Sequence, residues 1–113
     1  MGEFQVNGQW KAIQSNGFEA VFHLNQIPLG TEALTGHADH SNQTVHSKRD
    51  GVAGTVRGDQ FFLRVEWDNG TTGIYEGRFG MAEGGRQRIS GTSFDEAHPQ
   101  SQATWHSDAT FVR

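Results

Sequence analysis

Apolar and polar residues alternate along most of this chain, and no stretch repeats apolar positions at helical spacing. Segments rich in β-branched and aromatic residues recur at short intervals, each closed by a Gly, Asn or Asp cluster, which is how strands and turns read in sequence. Eight strands are predicted: Gly8–Gln14, Phe18–Leu24, Ala33–His40, Gly51–Arg57, Gln60–Trp67, Thr71–Phe79, Arg86–Phe94 and Ala103–Val112. Polar loops are predicted over Ser41–Asp50 and over Asp95–Gln102, the second containing Pro99. Consecutive strands with hairpin-length connections describe an all-β, eight-stranded, antiparallel up-and-down arrangement. Closing it into a barrel removes exposed edges, and about eight strands leave room for packed side chains or one small ligand. A two-sheet sandwich is the alternative, but its crossovers need longer connections than most found here.

Glycines stand mid-strand at Gly36, Gly54, Gly77 and Gly91. In that setting glycine marks coiling, a bulge or close backbone approach.

The stretch LRVEWDNGTTGIYEGRF, Leu63 to Phe79, allows the register to be worked out. A two-residue Asn-Gly turn would carry Glu76 and Arg78 onto the face of Phe61 and Leu63. A three-residue loop, Asp68-Asn69-Gly70 with Gly70 left-handed, shifts the pairing by one. Val65 then opposes Gly73, Leu63 opposes Tyr75, and Phe61 opposes Gly77. Because a one-residue slip flips every side chain, the cleaner segregation of charge selects the second register. Trp67 and Tyr75 are therefore expected to face inward, beside space left by Gly73 and Gly77, with the hydroxyl of Thr71 free near the mouth. Facing strands filling that space, or a ligand pocket with aromatic walls, are both open at this point.

Composition narrows the classes. The chain has 113 residues, enough for a single domain over 1–113 with a modest core. Its net charge of −4 (9 Lys+Arg, 13 Asp+Glu) lacks the basic footprint of a nucleic-acid binder. No apolar run reaches the roughly 18 residues of a membrane-spanning helix, and MGEFQVNGQW does not read as a leader, so no membrane partner is expected. With no cysteine, thiolate chemistry and cysteine zinc sites are excluded, and either a cytoplasmic or a secreted home fits. The sequons at Asn42-Gln43-Thr44 and Asn69-Gly70-Thr71 read as loop chemistry.

Several short motifs, in order along nearly the whole chain, resemble the avidin and streptavidin family of biotin-binding barrels. They are Gly8-Gln9-Trp10, Ala33-Leu34-Thr35-Gly36, Trp67-Asp68-Asn69, Tyr75-Glu76-Gly77-Arg78-Phe79, Arg88-Ile89, and the terminal run Ala103-Thr104-Trp105-His106-Ser107 through Asp108-Ala109-Thr110-Phe111. The resemblance implies a homo-oligomeric small-molecule binder. Trp67 and Tyr75 would be stacking walls, Phe94 a third offset by one residue, and Asp108 a hydrogen-bonding group near the last strand. Thr71 is a further polar contact, and Ser41 with Asn42 would close the mouth. Phe62 and Ile74 on the outer face are consistent with self-association. Departures from the family pattern point to weak or altered biotin specificity. Lys11 and Ala12 replace an Asn and a Ser after the first Trp, His37-Ala38 replaces a Tyr, and Gly73 stands where a Thr is expected. Trp105 matches a family tryptophan that reaches a neighbouring subunit, and a barrel-end plug is its other reading.

Other chemistries are weaker. His37, His40 and His46 with Asp39 invite a metal, but residues three apart on a strand point to opposite faces, so no metal is expected. His106-Ser107-Asp108 are adjacent and cannot form a triad. No cofactor is expected, and the chain is read as a binder rather than an enzyme. A lectin-like barrel, with exposed rings and Asn, Asp and Thr contacts, is the principal alternative. A barrel isomerase or cyclase using Tyr75, Asp108 or Glu76 comes after it.

Overall fold

In a computed structural model the described residues are 3–28, 30–41, 45–81 and 83–113. Eight strands form one closed antiparallel barrel in which every strand pairs with its sequence neighbour and β8 returns to β1. The strands are β1 (Gly8–Gln14), β2 (Glu19–Asn25), β3 (Ala33–His40), β4 (Ser47–Arg57), β5 (Gln60–Trp67), β6 (Thr72–Met81), β7 (Gln87–Asp95) and β8 (His98–His106). The only helical element among the described residues is a short 3₁₀ turn, Glu83–Gly85.

The β5–β6 hairpin has the bulged register expected from charge segregation: Val65 pairs with Gly73, Leu63 with Tyr75 and Phe61 with Gly77. Gly70 closes the turn with φ 90°, and the Trp67 amide donates to the Thr71 carbonyl at 2.9 Å. The mid-strand glycines are points of close approach. A Cβ at Gly54 or Gly91 would collide with the carbonyl oxygen of Phe62 or Glu76 on the neighbouring strand.

Two strands, β4 and β8, differ from expectation by more than two residues at an end, and β2, β6 and β7 are shifted by one or two. β4 begins at Ser47, so it runs through Lys48–Asp50 where a loop is predicted. Its polar run lies beyond a register shift, with Asp50 at φ 57°, and those side chains are exposed, so the apolar signal that marks a half-buried strand is missing. β8 spans His98–His106 rather than Ala103–Val112, and Phe111 makes only an isolated bridge to Gln87. Pro99 is tolerated because β8 meets β1 only at Trp105–Gln14 and His106–Ile13. Residues 98–103 therefore form an edge where a missing N–H costs no ladder bond.

The interior is aromatic and graded along the barrel axis. Trp10 meets Phe22, Phe61 and Phe111 edge-on at 5.1–5.5 Å and lies 6.3 Å from Trp105. Trp105 is 2% exposed and fills the notch at Gly77, where a Cβ would come 2.8 Å from its ring; its Nε1 donates to the Thr92 carbonyl. Rather than a plug at the barrel end, its ring lies among Trp10, Phe61 and Tyr75 within the interior. At the end carrying the chain termini, residues 3–7 lie across the barrel. Phe4 stacks on Phe79 at 4.0 Å, and Trp10 Nε1 donates to the Val6 carbonyl. Buried Gln26 accepts from the Val6 amide and donates to the carbonyls of Phe4 and Thr31. Each of those groups would otherwise be stranded in an apolar plug.

Candidate functional site

The opposite end carries the β1–β2, β3–β4, β5–β6 and β7–β8 connections and opens into a cavity of about 680 Å³. Alternation fixes who faces it. On the inner face of β5 and β6, Trp67 is 4% exposed and Tyr75 is 2% exposed. Gly73 lets the two rings close in over the strand, since a Cβ there would lie 3.1 Å from Trp67 Nε1 and 3.2 Å from the Tyr75 ring, so the space expected beside this glycine is taken up by the rings themselves. On β7 the residues paired with Tyr75 and Gly73 are Ser93 and Asp95, so both share that inward face. From the end of β1 comes Gln14 and from the β1–β2 turn Asn16 and Phe18, and Phe18 packs edge-on against Trp67 at 5.7 Å and against His40 at 3.9 Å. Gln100 and Gln102 on the free edge of β8 complete the rim.

The floor is polar at two points. Tyr75 Oη donates to Gln14 Oε1 at 2.8 Å, and burial pushes the phenol's pKa well above its ordinary value, so it stays a neutral donor. Ser93 Oγ is the one buried side-chain polar atom, among the described residues, without a hydrogen-bond partner. A buried hydroxyl in that state costs about 1–3 kcal/mol, which a ligand or water that bonds it would recover. At the rim, Asp95 accepts from the Ala97 amide and lies 3.8 Å from His98 Nδ1. The β7–β8 turn is tied to β5 by Arg64 and Glu96 at 2.8 Å, and that bond with the guanidinium charge holds the Glu96 carboxyl below its ordinary pKa despite slight desolvation.

Trp67, Tyr75, Thr71 and Phe94 all line this cavity. Thr71 is not the free hydroxyl expected, because its Oγ1 donates to Asn69 Oδ1 at 2.7 Å within an Asx turn. Phe94 is half-buried and pairs with Ile74 on the outward register of β6, so the position beside Tyr75 belongs to Ser93. Asp108 does not join them. It follows β8 towards the closed end, where it is 80% exposed and 3.7 Å from His106. Ser41 bonds Glu19 outside the cavity lining, and Asn42 lies outside the described residues. Gln14, Ser93 and Asp95 were missed from sequence. Alternation counted forward from the apolar Ile89 turns Ser93 and Asp95 inward and Phe94 outward, and that is the signal in the sequence that points to them.

No protein-family model matches this chain, and no curated protein or solved structure matches it either. The avidin-like reading therefore rests on the quoted motifs and on the barrel itself.

Proposed function

We propose that this protein binds a small polar ligand at the open end of an avidin-like barrel, and that it does so without catalysing a reaction. The observation that carries this is the cavity walled by Trp67 and Tyr75, with the unpartnered Ser93 hydroxyl and the Tyr75–Gln14 pair at its floor. Rigid rings supply apolar contact at low entropic cost, and a few fixed polar groups orient the ligand.

Biotin is one candidate, at weak affinity. After Trp10 the inner face of β1 offers buried Ala12 and then Gln14, Gly73 brings no hydroxyl, and Asp108 stands at the other end. A ureido group would have to use Gln14, Ser93 and Asp95 instead. The rim favours a second ligand class, carbohydrate. Gln14, Asn16, Asp95, Gln100 and Gln102 present amides and a carboxylate around the half-buried Phe18 ring, which suits hydroxyls above a ring face. Self-association through the outer wall, where Phe62 is 37% exposed, belongs to the same proposal and is read by sedimentation.

Calorimetric titration with biotin and with a panel of mono- and disaccharides tests the reading. Saturable binding to one class, lost in Trp67→Ala, supports it. A ligand at 100 times its dissociation constant should also add about 2.7 kcal/mol of stability. Binding unchanged in Trp67→Ala would move the site elsewhere.

A further inference from the structure

On the outer wall, away from the cavity, β2 and β3 bring together side chains that sequence spacing had kept apart. His23 pairs with His37 across the two strands, and Asp39 follows two residues after His37 on the same face. The expectation that His37 and His40 point oppositely holds: His40 is buried and His37 exposed. The partner overlooked was His23, 14 positions earlier but directly opposite in the sheet. One ligand atom each from His23, His37 and Asp39 lie within 4.8 Å of one another. His23 Nε2 is 3.2 Å from Asp39 Oδ2, close to the roughly 3.3 Å edge of a tetrahedron with metal–ligand bonds of about 2.0–2.1 Å. The two imidazoles lie nearly parallel with centroids 4.2 Å apart, which places both rings beside the same space.

We propose that His23, His37 and Asp39 form a surface site for a divalent transition-metal ion of the zinc type, with the remaining coordination open to solvent. Two imidazoles and one carboxylate match the donor preference of zinc and its neighbours, and not that of calcium or magnesium, which take oxygen ligands. His46 is the positioning residue. Its Nδ1 lies 2.7 Å from Asp39 Oδ1, leaving Oδ2 turned towards His23. Such a carboxylate–imidazole pair orients a metal ligand from outside the coordination sphere. His23 and Asp39 are partly exposed and His46 more so, so an ion reaches them without opening the barrel.

Titration of untagged protein with zinc chloride, followed by calorimetry, tests this. Saturable binding of one ion per chain is expected. His23→Ala and His37→Ala should each weaken it by more than about 100-fold, and His46→Ala by about 10- to 100-fold. His106→Ala should leave it unchanged. Cobalt(II) should give visible absorption bands that His37→Ala abolishes, a readout independent of stability. Because these side chains lie on the outer wall, unchanged circular dichroism should accompany each loss. Absence of saturable binding overturns the proposal, as does binding that survives both His23→Ala and His37→Ala.

Discussion

The two ends of this barrel use the same kinds of residue to opposite effect. At the closed end Phe4, Phe79, Trp10 and Phe111 meet ring to ring, and one buried amide, Gln26, satisfies the backbone of the segment that crosses them. At the open end Trp67, Tyr75 and Phe18 also form a wall, but polar side chains face it, and Ser93 Oγ is left without a partner. The recess at the closed end measures about 250 Å³ against about 680 Å³ at the open end. What separates a plug from a site here is not aromatic content. It is whether the polar groups among the rings are already satisfied.

The contrast predicts where mutations act. Phe4→Ala, which removes the ring stacked on Phe79, should cost about 3–5 kcal/mol in urea unfolding. Gln26→Ala strands the Val6 amide and should cost about 1–3 kcal/mol, with little effect on ligand binding. Tyr75→Phe should cost only about 1 kcal/mol of stability and fall mainly on affinity, since it removes the donor to Gln14 at the cavity floor. An equal effect of Tyr75→Phe on stability and none on affinity would erase the distinction between the ends. Thr71→Ala, on an exposed rim residue, should change stability by no more than about 0.5 kcal/mol.

Tyr75 is the chain's single tyrosine, so its titration can be followed without overlap. Its pKa is raised in the folded protein, so its contribution to stability is fully present below the unfolded value of 10.0 and is lost as pH rises beyond it. Absorbance near 295 nm should therefore show no phenolate at the ordinary tyrosine pKa, and ionisation should coincide with unfolding. A normal titration with the fold intact would mean that the cavity floor is wet. The smallest effect concerns the rim. In Arg64→Ala the Glu96 carboxyl, measured by NMR, should return upwards to its ordinary pKa with little change in melting temperature.

Much of the fold was legible in the sequence because charge segregation has only one good solution. Putting Glu76 and Arg78 outside required the bulged turn, and that turn placed Trp67 and Tyr75. Where the physical signal was weak, the reading slipped. Lys48–Asp50 form a strand without a buried face, and Pro99 sits on an edge that tolerates it, so neither carried a strand signature. The candidate site was half legible. Its aromatic walls follow from alternation within one hairpin, whereas Gln14, Ser93 and Asp95 reach it from strands distant in sequence. Likewise His23 and His37 meet only through the β2–β3 register.

The most direct test of the contrast uses the three tryptophan indoles as reporters. Trp10 Nε1 is bonded to Val6 and Trp105 Nε1 to Thr92, while Trp67 borders the cavity. In a proton–nitrogen NMR titration with biotin and with the saccharide panel, the Trp67 indole should shift saturably for one class while the Trp10 indole stays fixed. A Trp67 signal unmoved by every ligand, or saturable shifts confined to Trp10, would contradict a ligand site at the open end.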